Sequence, residues 1–277
     1  MQLITTIAEF RAARKPLPRL SLVPTMGALH EGHLSLMRKA KQHAPHVAVS
    51  IFVNPTQFGP KEDFSKYPRP LEADLALCKS VGVDLVFVPS VEEMYPPDSP
   101  KVSIDLPDLT TVLEGAHRPG HFAGVCQVVA KLFNIIQPDA ALFGRKDFQQ
   151  LAVLTAMVKG LDFPIEMLGC PTVREDGGLA MSSRNRYLSD DERRRALVIS
   201  RSLFFARDQI STGNRDARSL VAAMRAMIEK EATSIDYVAA ADPKTLVPVE
   251  QITGPVVFLI AVRVGTTRLI DNLQIDP

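Results

Sequence analysis

The chain has 277 residues, 46% of them apolar and 23% charged, figures that fit a globular protein with a large core and exclude a disordered one. Its 32 Lys and Arg against 31 Asp and Glu leave a formal charge of +1, too even a balance to grip a nucleic-acid backbone, so any polyanion it takes is small and locally held. No run approaches the roughly 18 apolar residues of a membrane span, and Met1 to Arg11 has neither the basic start nor the apolar stretch of a signal peptide; a cytoplasmic protein without membrane or nucleic-acid partners is expected.

From Leu20 to about Pro171, short β-branched runs alternate with longer helical patterns, the signature of a parallel sheet covered by crossover helices. The strands are expected at Leu20 to Pro24, Val47 to Val53, Asp84 to Pro89, Ala140 to Gly144 and Ile165 to Cys170. Helices are expected at Leu34 to His43, Leu71 to Val81, Val125 to Gln137 and Phe148 to Leu161. In the last of these Leu151, Leu154, Thr155 and Val158 share one face. After Cys170 the alternation stops. Ser189 followed by Asp190, Asp191 and Glu192 reads as the N-cap of a charged helix. A second helix at Ala217 to Glu231 follows, then strands at Asp236 to Ala241, Val256 to Val262 and Thr267 to Leu273. The fold class is thus α/β, a Rossmann-like doubly wound parallel-sheet domain followed by a smaller α+β domain, divided as residues 1–174 and 175–277. Cys78, Cys126 and Cys170 lie apart in apolar stretches, which suits core packing better than metal binding or nucleophilic catalysis.

A parallel sheet binds ligands beyond the carboxyl ends of its strands. The first strand runs into Met26-Gly27-Ala28-Leu29-His30-Glu31-Gly32-His33 just before a helix. Gly27 and Gly32 permit close backbone approach, the helix N-terminus attracts phosphate, and His30 and His33 can both face one triphosphate. H-x-G-H in this place resembles the nucleotidyltransferase superfamily, whose members include the class I aminoacyl-tRNA synthetases. Met181-Ser182-Ser183-Arg184-Asn185, preceded by Gly177-Gly178, resembles their signature loop, with hydroxyls and a guanidinium to close over the β and γ phosphates of ATP; its other reading is an interdomain linker whose serines cap the next helix. In Gly144-Arg145-Lys146-Asp147-Phe148-Gln149-Gln150, Lys146 is placed to meet phosphate and Gln150 faces the same cleft. Asp147 either accepts from a ribose hydroxyl or caps the helix. In Asn54-Pro55-Thr56-Gln57 the amides of Asn54 and Gln57 can orient a hydroxylated acid.

Taken with Arg118-Pro119-Gly120-His121-Phe122, Lys131-Leu132-Phe133-Asn134 and Arg268-Leu269-Ile270-Asp271-Asn272, these segments resemble the pantothenate synthetase family along almost the whole chain. The resemblance implies ATP-dependent condensation of (R)-pantoate with β-alanine through a pantoyl adenylate, with Mg2+ present. It implies that Met26 to His33, Gly144 to Asp147, Val173 and Met181 to Arg184 bind ATP. His33, His30, Lys146 and Arg184 then serve catalysis, Gln57 and Gln150 hold pantoate, and Gln57 borders β-alanine. It also implies a magnesium-side carboxylate at Asp74 and a homodimer. Arg145 and Gln127 depart from the family pattern, Arg145 adding a positive charge beside the nucleotide loop and Gln127 lying near the expected pantoate pocket. The competing readings are a nucleotidyltransferase acting on a phosphate ester and a nucleotide-sensing or RNA-binding module, the latter disfavoured by the charge balance.

Overall fold

The structure is a computed structural model describing residues 1–60 and 62–277. In chain order the first half holds β1 (Gln2–Ile4), α1 (Ile7–Arg14), β2 (Leu20–Thr25), α2 (Glu31–His43), β3 (His46–Ile51), a 3-10 turn at Pro55–Gln57, α3 (Leu71–Ser80), β4 (Leu85–Phe87) and three one-turn helices, α4 (Val91–Met94), α5 (Pro107–Thr110) and α6 (Glu114–His117). Then come α7 (His121–Ile136), β5 (Ala140–Gly144), α8 (Phe148–Gly160), β6 (Glu166–Cys170), α9 (Asp190–Ser211), α10 (Ala217–Ile228), β7 (Ser234–Ala241), β8 (Val256–Val264) and β9 (Thr267–Ile275).

Two compact units result. One comprises Met1–Thr110, Arg118–Arg145 and Gln150–Pro171; the other comprises Thr172–Pro277 with the short segments Thr111–His117 and Lys146–Gln149. A division at residue 174 takes no account of those two segments, whose ties to the second unit are long-range polar contacts that leave no local pattern.

The first unit is a six-stranded parallel sheet in the order β1-β4-β3-β2-β5-β6. Side chains on each strand alternate between two apolar layers. Leu20 and Leu22, Ala48, Leu85 and Phe87, and Ala141 and Phe143 face one layer, with Phe10, Val125 and Phe133. Val23, Val47 and Val49, Val86 and Leu142 face the other, with Met37 and Cys78. Burial on both faces is why these strands read as continuous apolar runs. From β2 the chain builds outward through β3 and β4, then returns to the other side of β2 with β5. The order therefore reverses between β2 and β5, where an open α/β sheet forms its ligand crevice.

The second unit packs α9 and α10 on the antiparallel sheet β7-β8-β9. Ser189 caps α9 in a capping box with Glu192, and Asp216 caps α10. The expected pairing of a parallel-sheet domain with a small α+β domain is what the chain forms. The N-terminal edge of the large sheet is an addition to that expectation, since the three residues of β1 join it by pairing Gln2, Leu3 and Ile4 with Leu85, Val86 and Phe87 of β4.

Candidate active site

The loop after β2 is bound tightly to the sheet. The Thr25 hydroxyl donates to the Ser50 carbonyl at 2.8 Å and accepts from the Gly27 amide at 3.2 Å. Gly27 (φ 80°) and Ala28 (φ 51°) are then both left-handed, costing about 1 kcal/mol or more at alanine. What holds this geometry is Asp74 on α3, 1% exposed. One carboxylate oxygen accepts from the Ala28 amide and the other from the Leu29 amide, each at 2.8 Å. A Cβ on Gly27 would lie 2.9 Å from Asp74 Oδ2, so glycine answers both the dihedral and the close approach.

His30 then caps α2. Its Nδ1 accepts from the Gly32 amide at 3.2 Å, and His33 Nδ1 accepts from the His30 amide at 3.3 Å. An Nδ1 that accepts carries no proton, so each neutral ring bears its N–H on Nε2. The rings lie 4.1 Å apart, tilted by 42°. Two such donors thus sit at the positive end of α2, beside the order reversal of the sheet. Glu31 contributes no free charge there, because Arg38 pairs with it and holds its carboxyl below the usual range.

After β3, Gln57 is 9% exposed and Asn54 1%. Asn54 Nδ2 donates to Gln57 Oε1 and to the Gly124 carbonyl, each at 3.1 Å. Its Oδ1 accepts from the Thr56 hydroxyl at 3.0 Å and the Tyr95 hydroxyl at 2.9 Å. The hydrogen-bonding capacity of Asn54 is therefore spent inside the chain. It fixes the Gln57 amide with Oε1 toward Asn54 and Nε2 donating to Met26 Sδ at 3.2 Å. Gly124 on α7 makes this possible, since a Cβ there would meet the Thr56 carbonyl oxygen and lie 2.7 Å from Gln57 N.

Gly144 ends β5 opposite Cys170, Arg145 is exposed with its side chain against Gly169, and Gln150 is half-buried in the first turn of α8. Gln127 donates to the Val102 carbonyl at 2.9 Å, so its amide ties down the chain before α5. The polar residue buried in the first turn of α8 is Gln149, 3% exposed. Within the second unit its side chain bridges the Glu114 amide and the Val112 carbonyl, both at 2.9 Å.

Also in the second unit, the Lys146 carbonyl accepts from Asn272 Nδ2 at 2.6 Å, and Lys146 Nζ is 3.7 Å from Asp147 Oδ1. Asp271 joins this cluster through Arg174, which donates to its two oxygens at 2.6 and 3.1 Å. Val173 and Met181 pair by a backbone bond at 2.9 Å, and Arg174 bridges to Ala180 across the Gly177-Gly178 turn. The Ser182 hydroxyl accepts from the Arg184 amide at 3.3 Å, opening a 3-10 turn over Ser183–Tyr187. Ser183 is buried and Arg184 half-buried.

No side chain is set up as a covalent nucleophile among the cysteines. Burial pushes the Cys78 and Cys126 thiols up to about 12, and raises that of Cys170. Each Asp74 oxygen accepts a backbone amide, and among the described residues no group of three or more His, Cys, Asp and Glu forms an all-protein cage for Mg2+.

Sequence reasoning picked out Met26 to His33, Asn54, Gln57 and Asp74, and direct contacts unite them in the first unit. Lys146, Val173 and Met181 to Arg184 lie in the second. Glu62 was not singled out, and Arg118 and His121 entered only as members of the Arg118-Pro119-Gly120-His121-Phe122 segment, with no role assigned to either.

The chain matches the family described as pantoate-beta-alanine ligase over residues 2–274. It is 53% identical over 289 residues to a pantothenate synthetase of Acidobacterium capsulatum, covering 99% of this chain and 96% of that one. With the pantothenate synthetase of Moorella thermoacetica the identity is 53% over 285 residues, covering 100% and 99%. The crystal structure of pantothenate synthetase from Thermus thermophilus is similar at a TM-score of 0.95 and 46% identity, with 100% of each chain covered. That of pantoate-beta-alanine ligase from Francisella tularensis, complexed with beta-gamma ATP and beta-alanine, is similar at 0.81 and 33% identity, covering 99% and 97%. This chain belongs to the pantoate-beta-alanine ligase family.

Proposed function

We propose that the chain condenses (R)-pantoate with β-alanine, using ATP and releasing AMP and pyrophosphate, with its own residues in the following roles. The observation that carries the assignment of roles is the pair of Nε2–H donors on His30 and His33 at the N-terminus of α2. They are aimed, in this reading, at the charge that grows on the phosphates as the pantoate carboxylate attacks the α-phosphorus. Ala28, Leu29, Glu31 and Gly32 line the nucleotide with their backbone, as do Met26, Gly27, Gly144, Arg145, Asp147, Val173 and Met181. Lys146, Ser182, Ser183 and Arg184 meet the phosphates.

Gln57 donates Nε2–H to pantoate, its other end being held by Asn54. Gln150 is assigned to the same substrate. Asn54 acts through Gln57, and Asp74 acts on the histidine loop. The bond to the α-phosphorus forms as the bond to pyrophosphate breaks; the β-alanine amine then attacks the acyl carbon and AMP leaves. Neither step needs a protein nucleophile, in keeping with three buried, unreactive thiols, so positioning and electrostatics supply the catalysis. Mg2+ would enter with the ATP phosphates and neutralise part of their charge. A cytoplasmic homodimer completes the proposal.

Isotope exchange between ATP and pyrophosphate that requires pantoate, with AMP formation that requires β-alanine, tests the reaction. His33→Ala tests the histidine role. Removing one donor of this kind lowers kcat by about 10²–10³-fold, and ATP binding should fall far less. Equal losses in turnover and ATP affinity would count against a catalytic histidine, and adenylyl transfer to a phosphate ester without an amine would count against the reaction.

A further inference from the structure

We propose that Arg118, His121 and Glu62 are positioning residues that latch the Gln57 turn in the orientation that receives the acid substrate, an inference that rests on Gln57 as the pantoate amide. The Gln57 side chain is oriented by Asn54, but its main chain has a separate anchor. His121 Nδ1 lies 2.8 Å from the Gln57 carbonyl oxygen. A carbonyl can only accept, so the proton resides on Nδ1, the opposite tautomer to that of His30 and His33. His121 Nε2 is left as an acceptor and takes a bond from an Arg118 terminal nitrogen at 2.9 Å.

The other guanidinium nitrogens of Arg118 grip Glu62 in a fork, Nε to Oε1 at 2.5 Å and the second terminal nitrogen to Oε2 at 2.8 Å. Oε2 also accepts from the Gly59 amide at 3.1 Å. The relay leaves the chain at Gln57, passes through three side chains and returns to it at Gly59, enclosing the loop between. Exposures of 9% for His121, 16% for the Arg118 side chain and 26% for that of Glu62 put the relay largely out of water, where aligned bonds are strong. Burial alone would raise the Glu62 carboxyl, yet the bonds and charge of Arg118 hold it below the usual range. A latch on the main chain of Gln57 and a clamp on its amide serve one purpose, to present Nε2–H to pantoate without an orienting cost.

The test is steady-state kinetics on the full chain, varying pantoate and ATP separately, for His121→Ala, His121→Asn, Arg118→Ala, Glu62→Gln and the reference Gln57→Ala, with melting curves for each. In His121→Asn the introduced side-chain amide N–H can stand in for Nδ1–H. His121→Ala and Arg118→Ala should raise KM for pantoate by about tenfold, what loss of one aligned bond gives, with KM for ATP within about twofold. His121→Asn should recover most of that loss, and Glu62→Gln, the mildest change at the exposed end, should raise KM for pantoate by about threefold. Equal impairment of His121→Ala and His121→Asn, or parallel changes in both KM values, would overturn the latch. Gln57→Ala separates the two ideas: if it leaves KM for pantoate unchanged, the assignment of Gln57 fails, whereas a large effect there with none in the latch variants defeats only the latch.

Discussion

Replacing Asp74 with asparagine separates two views of that residue. The carboxylate satisfies the Ala28 and Leu29 amides with one oxygen each, both at 2.8 Å, at a site 1% exposed. Asparagine keeps the shape but only one acceptor oxygen, so its NH2 group must face one of the two amides. A charge-assisted bond of about 1.5–3 kcal/mol is lost and a buried donor is left unsatisfied at about 1–3 kcal/mol. Part of this relaxes when Ala28 leaves its left-handed conformation (φ 51°), returning about 1 kcal/mol. A net cost of about 1.5–5 kcal/mol lowers the melting temperature by several degrees in a chain of this size. It also depopulates the loop geometry that sets both histidines by about tenfold or more. Pantoate-dependent exchange between ATP and pyrophosphate should fall by that factor or more, and raising Mg2+ tenfold should not restore it. Recovery of exchange at high Mg2+, or an unchanged exchange rate in a folded variant, would refute the loop-anchor reasoning and return Asp74 to the metal.

Gly124→Ala should cost about 1–3 kcal/mol of stability, since a Cβ there meets the backbone of Thr56 and Gln57, and should raise KM for pantoate more than KM for ATP. Arg174→Met should destabilise by about 3–5 kcal/mol at neutral pH by stranding the buried Asp271 carboxylate. Burial already holds that carboxyl above its usual range against the pull of Arg174, and losing Arg174 raises it further; protonation then favours the folded state, so denaturant melts should show the deficit shrinking as pH falls through the raised value and growing as pH rises through it. With the Cys78 and Cys126 thiols pushed to about 12, the folded protein at pH 8 should react with a thiol reagent at neither residue and keep its activity, while denaturation exposes all three cysteines. Rapid labelling of the native protein at Cys78 or Cys126 would contradict the burial described.

The central strands were legible because burial on both faces leaves a run of apolar residues that needs no partner to be recognised. The turn at His30 and His33 was legible because its glycines, histidines and helix are contiguous in the chain. The edge strand β1 was not: three residues carry no period, and its partner Leu85 is far along the sequence. Helix α7 begins at His121, ahead of the expected Val125, because Gly124 looks like a helix breaker until the 3-10 turn it accommodates is known. Asp74 and Asn54 show the deeper limit. A sequence displays a carboxylate and an amide, and a reader assigns them to ligands. That the partners of Asp74 are amides 46 and 45 positions earlier is a property of the fold. The same holds for the His121 bond to Gln57.

The second unit draws its short segment Thr111–His117 from deep within the first half of the chain, and that segment carries Glu114, which is 6% exposed and bound by Arg268 at 2.7 and 2.8 Å and by the Tyr237 hydroxyl at 2.8 Å. A gene fragment ending near residue 174 would therefore not encode a self-sufficient half: it would carry Glu114 without the guanidinium that compensates its charge and the phenol that donates to it, while the complementary fragment would carry Arg268 and Tyr237 without their acid. Because each unit is built from three separate stretches of chain, no single cut separates one from the other.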